Sequence, residues 1–136
     1  MKIFICCSKH FYEKIQKIKE ELEKKGHKIR LPNSYNEPLM EEKQKIIGKE
    51  EHVKWKAKMM KKDKINIKPN DAILVLNYER KGHKNYIGGA TFLEIYTAWD
   101  MKKKIFILNE LPNCSFTDEL KGINPILLKG DLSLIK

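Results

Sequence analysis

The residues most able to do chemistry lie between positions 88 and 94. Gly88 and Gly89 are adjacent, Thr91 follows, and Glu94 stands five residues after Gly89. Paired glycines ahead of a helix leave backbone N–H groups open to an anion or a polar oxygen. Lacking Cβ, they also let a ligand approach the chain closely. Thr91 reads as a cap or a ligand contact. Glu94 sits among Phe92, Leu93, Ile95 and Tyr96. A carboxylate in apolar company is costly without a partner, and a helix N-terminus returns only ~0.3–1 kcal/mol. Glu94 therefore reads either as a dipole-matched surface acid or as a nucleophile or base beside a crevice. A second group, Cys7-Ser8-Lys9-His10, follows an apolar opening run. Ser8 caps the next helix or touches a ligand, and Lys9 could neutralise a phosphate. Cys7 is near a helix start, where thiolate is favoured, but no histidine–acid partner for it is evident.

These groups need a scaffold, and the chain alternates strand and helix. Lys2–Cys6 is a short β-forming run. A helix from about Phe11 to Lys25 follows, with Ile15, Ile18 and Leu22 on one stripe and Gly26 as its C′ residue. His27–Leu31 is a second strand, stopped by Pro32. A long helical region, Glu37 to about Lys64, breaks near Gly48. Ile46, Ile47, Val53, Ala57 and Met60 can line its core face, with Trp55 and Met59 beside them. Asp71 opens Ala72–Leu76, whose continuous apolar character suits a strand covered on both faces. Asn77–Tyr86 is a polar loop. The Gly88-Gly89 helix runs to about Met101 with Phe92, Ile95, Tyr96 and Trp99 on its apolar side. Lys104–Leu108 is a buried strand, Phe116–Lys121 a short helix, and Pro125–Leu128 a last strand.

Five short strands separated by helices predict a single α/β domain over residues 1–136: a three-layer sandwich, flavodoxin- or Rossmann-like, with a five-stranded parallel sheet and helices on both faces. Ligands in such sheets bind beyond the carboxyl ends of the strands, at the switch in strand order. The loops after the first, third and fourth strands are then the place to look.

Composition narrows the function classes. The chain has 136 residues, 41% hydrophobic and 34% charged, which is globular composition. No apolar run nears the ~20 residues that span a bilayer, and Met1–Cys7 reads as a strand rather than a signal peptide. The expected location is cytoplasmic, with no membrane partner. Three cysteines without a CxxC pair and four scattered histidines argue against a disulfide framework or a zinc site; no metal and no cofactor is called for. The net charge of +10 is almost all lysine, interleaved with glutamate at helical spacing. That pattern favours solvated helix faces over a nucleic-acid partner, which would favour arginine.

Three segments in order resemble the nucleoside 2-deoxyribosyltransferase superfamily, which includes nucleoside 5′-monophosphate N-glycosidases. They are Ile3-Phe-Ile-Cys-Cys-Ser8, the Asp-opened strand Asn70–Leu76, and Gly88-Gly-Ala-Thr-Phe-Leu-Glu-Ile-Tyr-Thr-Ala98 followed by Lys103–Ile107. The resemblance implies that Glu94 attacks the anomeric carbon of a ribose or deoxyribose and displaces the base, forming a covalent sugar–enzyme intermediate. It implies that Asp63, eight residues before Asp71, matches an aspartate the family carries before its central strand. It also implies that Ser8, Asn77, Tyr86, Gly88 and Gly89 hold sugar or phosphate oxygens, and that copies assemble into a homo-oligomer. Two features depart from the family: Ala90 stands where a glycine usually lies, and Glu37–Lys64 is unusually long. Paired glycines, Thr91 and Glu94 also resemble the phosphoribohydrolases that release cytokinin-type bases, which have a further glycine absent here. A different class remains open on the same scaffold: a non-catalytic nucleotide or nucleotide-sugar sensor.

Overall fold

A computed structural model describes residues 1–136. Five strands form one all-parallel sheet: β1 (Lys2–Cys6), β2 (Lys28–Arg30), β3 (Ala72–Val75), β4 (Lys104–Ile107) and β5 (Ile126–Leu127), in the order β2-β1-β3-β4-β5. Five α-helices connect and cover them: α1 (Ile15–Lys24), α2 (Met40–Ile47), α3 (Lys49–Ile67), α4 (Gly89–Asp100) and α5 (Thr117–Ile123). The expected α/β sandwich is the observed one. No helix is long and apolar enough to cross a membrane.

The inner strands β1, β3 and β4 are almost wholly apolar because they face helices on both sides. Ile3, Ile5, Ala72, Leu74 and Phe106 point into one core with Phe11, Ile15 and Leu22. The alternate residues Phe4, Cys6, Ile73, Val75, Ile105 and Ile107 point into another with Ile67, Ile95, Ala98 and Leu120. The chain steps from β1 to β2 in one direction and to every later strand in the other. With right-handed crossovers, α3, α4 and α5 then share a face, opposite α1. Order reverses between β1 and β3, so α3 and α4 pack together over the crevice there.

Local signals set the boundaries. Gly26 takes φ +91°, the left-handed backbone that ends α1. Asp71 anchors the start of β3 by accepting from the Lys2 amide at 2.8 Å. Gly48 breaks the long helical region as expected. Ion pairs at i,i+4, such as Lys19–Glu23 at 3.2 Å and Lys54–Glu50 at 3.7 Å, place much of the lysine on exposed helix faces.

Three expectations need correction. The first helix does not start in α geometry at Phe11: Lys9–Lys14 is a 3-10 turn, tightened as buried Phe11 packs edge-on against Tyr78, with centroids 5.5 Å apart. The stripe Ile46, Ile47, Val53, Ala57 and Met60 does not face the core; all five are exposed. α3 instead turns Trp55, Met59 and Asp63 inward, toward the crevice rather than the sheet, and reaches the core only at Ile67. On α4, Tyr96 and Trp99 are half exposed, and the buried stripe is Thr91, Glu94, Ile95 and Ala98. Two of those four residues are polar, which is unusual for a helix face laid on a sheet.

Candidate active site

A cleft of about 470 Å³ opens at the carboxyl ends of β1 and β3. That volume lies within the ~300–1,000 Å³ usual for small-molecule sites. Its floor is Glu94, in the second turn of α4 and only 8% exposed. Asp63 reaches in from α3, and the two carboxyl groups are hydrogen-bonded to each other. The Cys6 thiol, at the end of β1, is the other titratable neighbour of Glu94. Burial, and then the neighbouring Asp63, holds Glu94 well above the ordinary carboxylate range. Burial also pushes Asp63 up, to about 7, against the opposing pull of its Glu94 hydrogen bond and the Lys56 charge. Two like groups so close do not both ionise near neutral pH, so the pair holds one proton.

The glycines sit as the sequence suggested. Gly88 is extended and offers no side-chain cap to α4, so the first-turn N–H groups of the helix border the cleft uncapped. A Cβ at Gly88 would come within 3.1 Å of the Tyr86 hydroxyl. That hydroxyl accepts from Arg80 Nη1 at 3.1 Å, and the guanidinium lies 5.1 Å from the ring centroid. Gly88 thus lets Tyr86 stand as one wall, with Arg80 bracing it.

Most of the residues anticipated from sequence meet here: Glu94, Asp63, Cys7, Ser8, Lys9, Tyr86, Gly88, Gly89 and Thr91 all line the cleft. Their states differ from expectation in places. Cys7 is buried, and desolvation, followed by the Glu94 charge, pushes its thiol up; a thiolate nucleophile is disfavoured. Ser8 Oγ accepts a long hydrogen bond, 3.4 Å, from the His10 amide, so its capping role holds. Lys9 is engaged by Glu42 and, at 3.7 Å, by Glu41 of α2. Glu41 also meets His52 at 2.9 Å and Lys56 at 2.8 Å. Burial disfavours its charge, yet hydrogen bonds from Lys56 and His52 hold it down at about 2. Lys9 is thus a tether for α2 before it is a ligand group.

Asn77 is the clear exception. It is fully buried and does not line the cleft. Its Nδ2 donates to the Glu110 carbonyl at 2.8 Å, and its Oδ1 accepts from the Asn109 amide at 2.9 Å. An amide two residues past β3 and beside β4 finds two backbone groups to satisfy, so it ties the loops together instead of facing ligand. Asn77→Ala orphans both groups and is expected to destabilise the fold by roughly 2–4 kcal/mol. Urea unfolding reads this as a lower midpoint with little change in slope.

Several cleft residues carry no signal in the sequence pattern. Tyr12 comes from the 3-10 turn, Asn33 from the loop after β2, and Trp55 and Met59 from α3. Arg80 had one usable hint: it is one of only two arginines in a lysine-rich chain. Chemically, the arrangement offers a buried carboxyl pair with one proton, uncapped N–H groups beside it, and aromatic and thioether walls. No family model matches this chain, and no curated protein matches it.

Proposed function

We propose that the protein breaks the N-glycosidic bond of a nucleoside, a nucleotide or a related ribosyl compound, passing the sugar to water or to a second base, with Glu94 as nucleophile and Asp63 as general acid. The observation that carries this reading is the Asp63–Glu94 carboxyl pair, facing each other on the floor of an open cleft, where burial favours a singly protonated pair. Displacement of a base needs one ionised carboxyl to attack the sugar and one protonated carboxyl to supply the leaving nitrogen. A pair with a single proton has that stoichiometry.

In the first step a Glu94 oxygen bonds to the anomeric carbon, and the carbon–nitrogen bond breaks. The bonding electrons go to the base nitrogen, which takes the proton from Asp63. In the second step water attacks the same carbon, gives a proton to the Asp63 carboxylate, and releases Glu94 as carboxylate. A second base in place of water would give transfer. The α4 N–H groups at Gly89 and Ala90 suit sugar or phosphate oxygens, while Tyr86, Trp55 and Met59 suit the flat face of a base. Half-exposed Tyr96 and Trp99, whose rings lie 5.8 Å apart on α4, support association of copies, which sedimentation velocity tests.

The function is tested by incubating the protein with ribo- and deoxyribonucleosides and their monophosphates and following free base by chromatography. The expected result is release from at least one substrate class. Tight binding across the panel without turnover would replace the enzyme by a nucleotide sensor on the same scaffold.

A further inference from the structure

A hydrogen-bond chain enters the cleft from the side remote from the glycines. Asn70 Nδ2 donates to the Asn66 carbonyl at 2.6 Å. Asn66 Nδ2 donates to Asn33 Oδ1, and Asn33 Nδ2 donates to Asp63 Oδ1. Asn66 lies one turn beyond Asp63 on α3, and Asn33 lies on the loop after β2. With Asn66 donating to its oxygen, Asn33 presents its NH₂ to the Asp63 carboxyl.

We propose that Asn33, locked by Asn66, is a positioning residue that fixes the Asp63 carboxyl toward Glu94 and decides which of the two acids holds their shared proton before substrate arrives. The role rests on reading the pair as acid and nucleophile, but the hydrogen-bond chain exists without that reading. An N–H donated to Oδ1 favours Asp63 as the anion, and Lys56 adds a positive charge on the same side. No amide or ammonium donor reaches Glu94, whose neighbours are the Asp63 carboxyl and the Cys6 thiol. The resting proton therefore sits on Glu94, and the nucleophile is masked. The remaining groups facing the pair are Cys7 at the end of β1 and Tyr12 on the 3-10 turn. Burial pushes both up, first of all causes, so neither carries charge near neutral pH. When a sugar enters, the proton passes from Glu94 to Asp63, which unmasks the nucleophile and arms the acid in one transfer.

The test is a carboxyl ¹³C NMR titration of the ligand-free protein labelled at aspartate and glutamate, with Asp63→Asn assigning the Asp63 signal. In the parent protein Asp63 should ionise before Glu94. Asn33→Ala should raise the Asp63 midpoint by about one pH unit, a tenfold gain in proton affinity. Asn66→Ala should move it the same way by less, because Asn33 can then flip. An unchanged Asp63 midpoint in Asn66→Ala and Asn33→Ala overturns the proposal; if Asn33→Ala fails to fold, Asn66→Ala alone decides. Glu94 ionising first in the parent overturns it as well. None of these readings needs turnover, so a protein that releases no base, yet shows these shifts, sinks the enzyme reading and keeps the positioning role.

Discussion

Glu94→Gln is expected to be more stable than the parent protein at pH 8 and equally stable near pH 4. The sign follows from the pair. In the unfolded chain both carboxyls ionise near their ordinary values of about 4. In the folded chain both are raised, Asp63 to about 7 by burial, and Glu94 well above its ordinary range first by burial and then by the neighbouring Asp63. Between those values the folded state binds more protons than the unfolded one. Stability is therefore fully present below pH 4 and is lost as pH rises through 7. Glutamine keeps the shape of Glu94, donates an N–H to Asp63 and removes one ionisation, so most of the slope disappears. Burial of Glu94 and coupling to a half-buried partner together put the difference at pH 8 at about 1–3 kcal/mol, or roughly 3–10 °C in Tm. Thermal melts of both proteins across pH 4–9 check this. Parallel curves for the two would mean that the pair is not strained. A stabilising substitution on a cleft floor is the mark of a residue kept for function at the expense of the fold.

The same substitution is expected to abolish base release. Losing the nucleophile should lower kcat by at least ~10⁴-fold, whereas losing the acid in Asp63→Asn should lower it by ~10²–10⁴-fold. The two losses should not add, since each residue works only with the other in the complementary state. The pH profile should fall on both sides. Below the first ionisation neither acid is free to attack; above the second no proton remains for the leaving base. Asp63→Asn should lose the alkaline limb and release good leaving groups, such as an already positively charged base, with a smaller penalty. Steady-state rates for Asp63→Asn, Glu94→Gln and the double variant on one substrate decide this. Additive losses would separate the two residues.

Element order, the parallel sheet and the place of the cleft were legible because the inner strands are continuous apolar runs that suit only a sheet covered on both faces. Ala72–Leu76 and Lys104–Leu108 leave little choice. Helix faces were harder. On α4 the buried stripe carries Thr91 and Glu94, so the apolar periodicity pointed to Tyr96 and Trp99, which face outward. On α2 and α3 the periodic stripe of Ile46, Ile47 and Val53 is exposed, because those helices line a cleft and touch the sheet only at Ile67. Glu94 was legible from its apolar company, and Asp63 only through a family resemblance. Asn33 and Asn66 were invisible: a polar residue on a loop or an exposed helix has no spacing that announces a partner 30 or more positions away, as the Asn33–Asp63 and Asn33–Asn66 bonds are. Asn77 misled for the opposite reason. It stands at a strand tip, where ligand contacts are common, yet the nearest groups in need of partners are backbone ones.

The most direct test of the central role given to Glu94 is to quench the protein during turnover, digest it and weigh the peptides. The expected result is a peptide containing Glu94 that is heavier by one pentosyl or deoxypentosyl group, absent in Glu94→Gln. Base released at an undiminished rate by Glu94→Gln, with no sugar on that peptide in the parent protein, would contradict the assignment of Glu94 as the nucleophile.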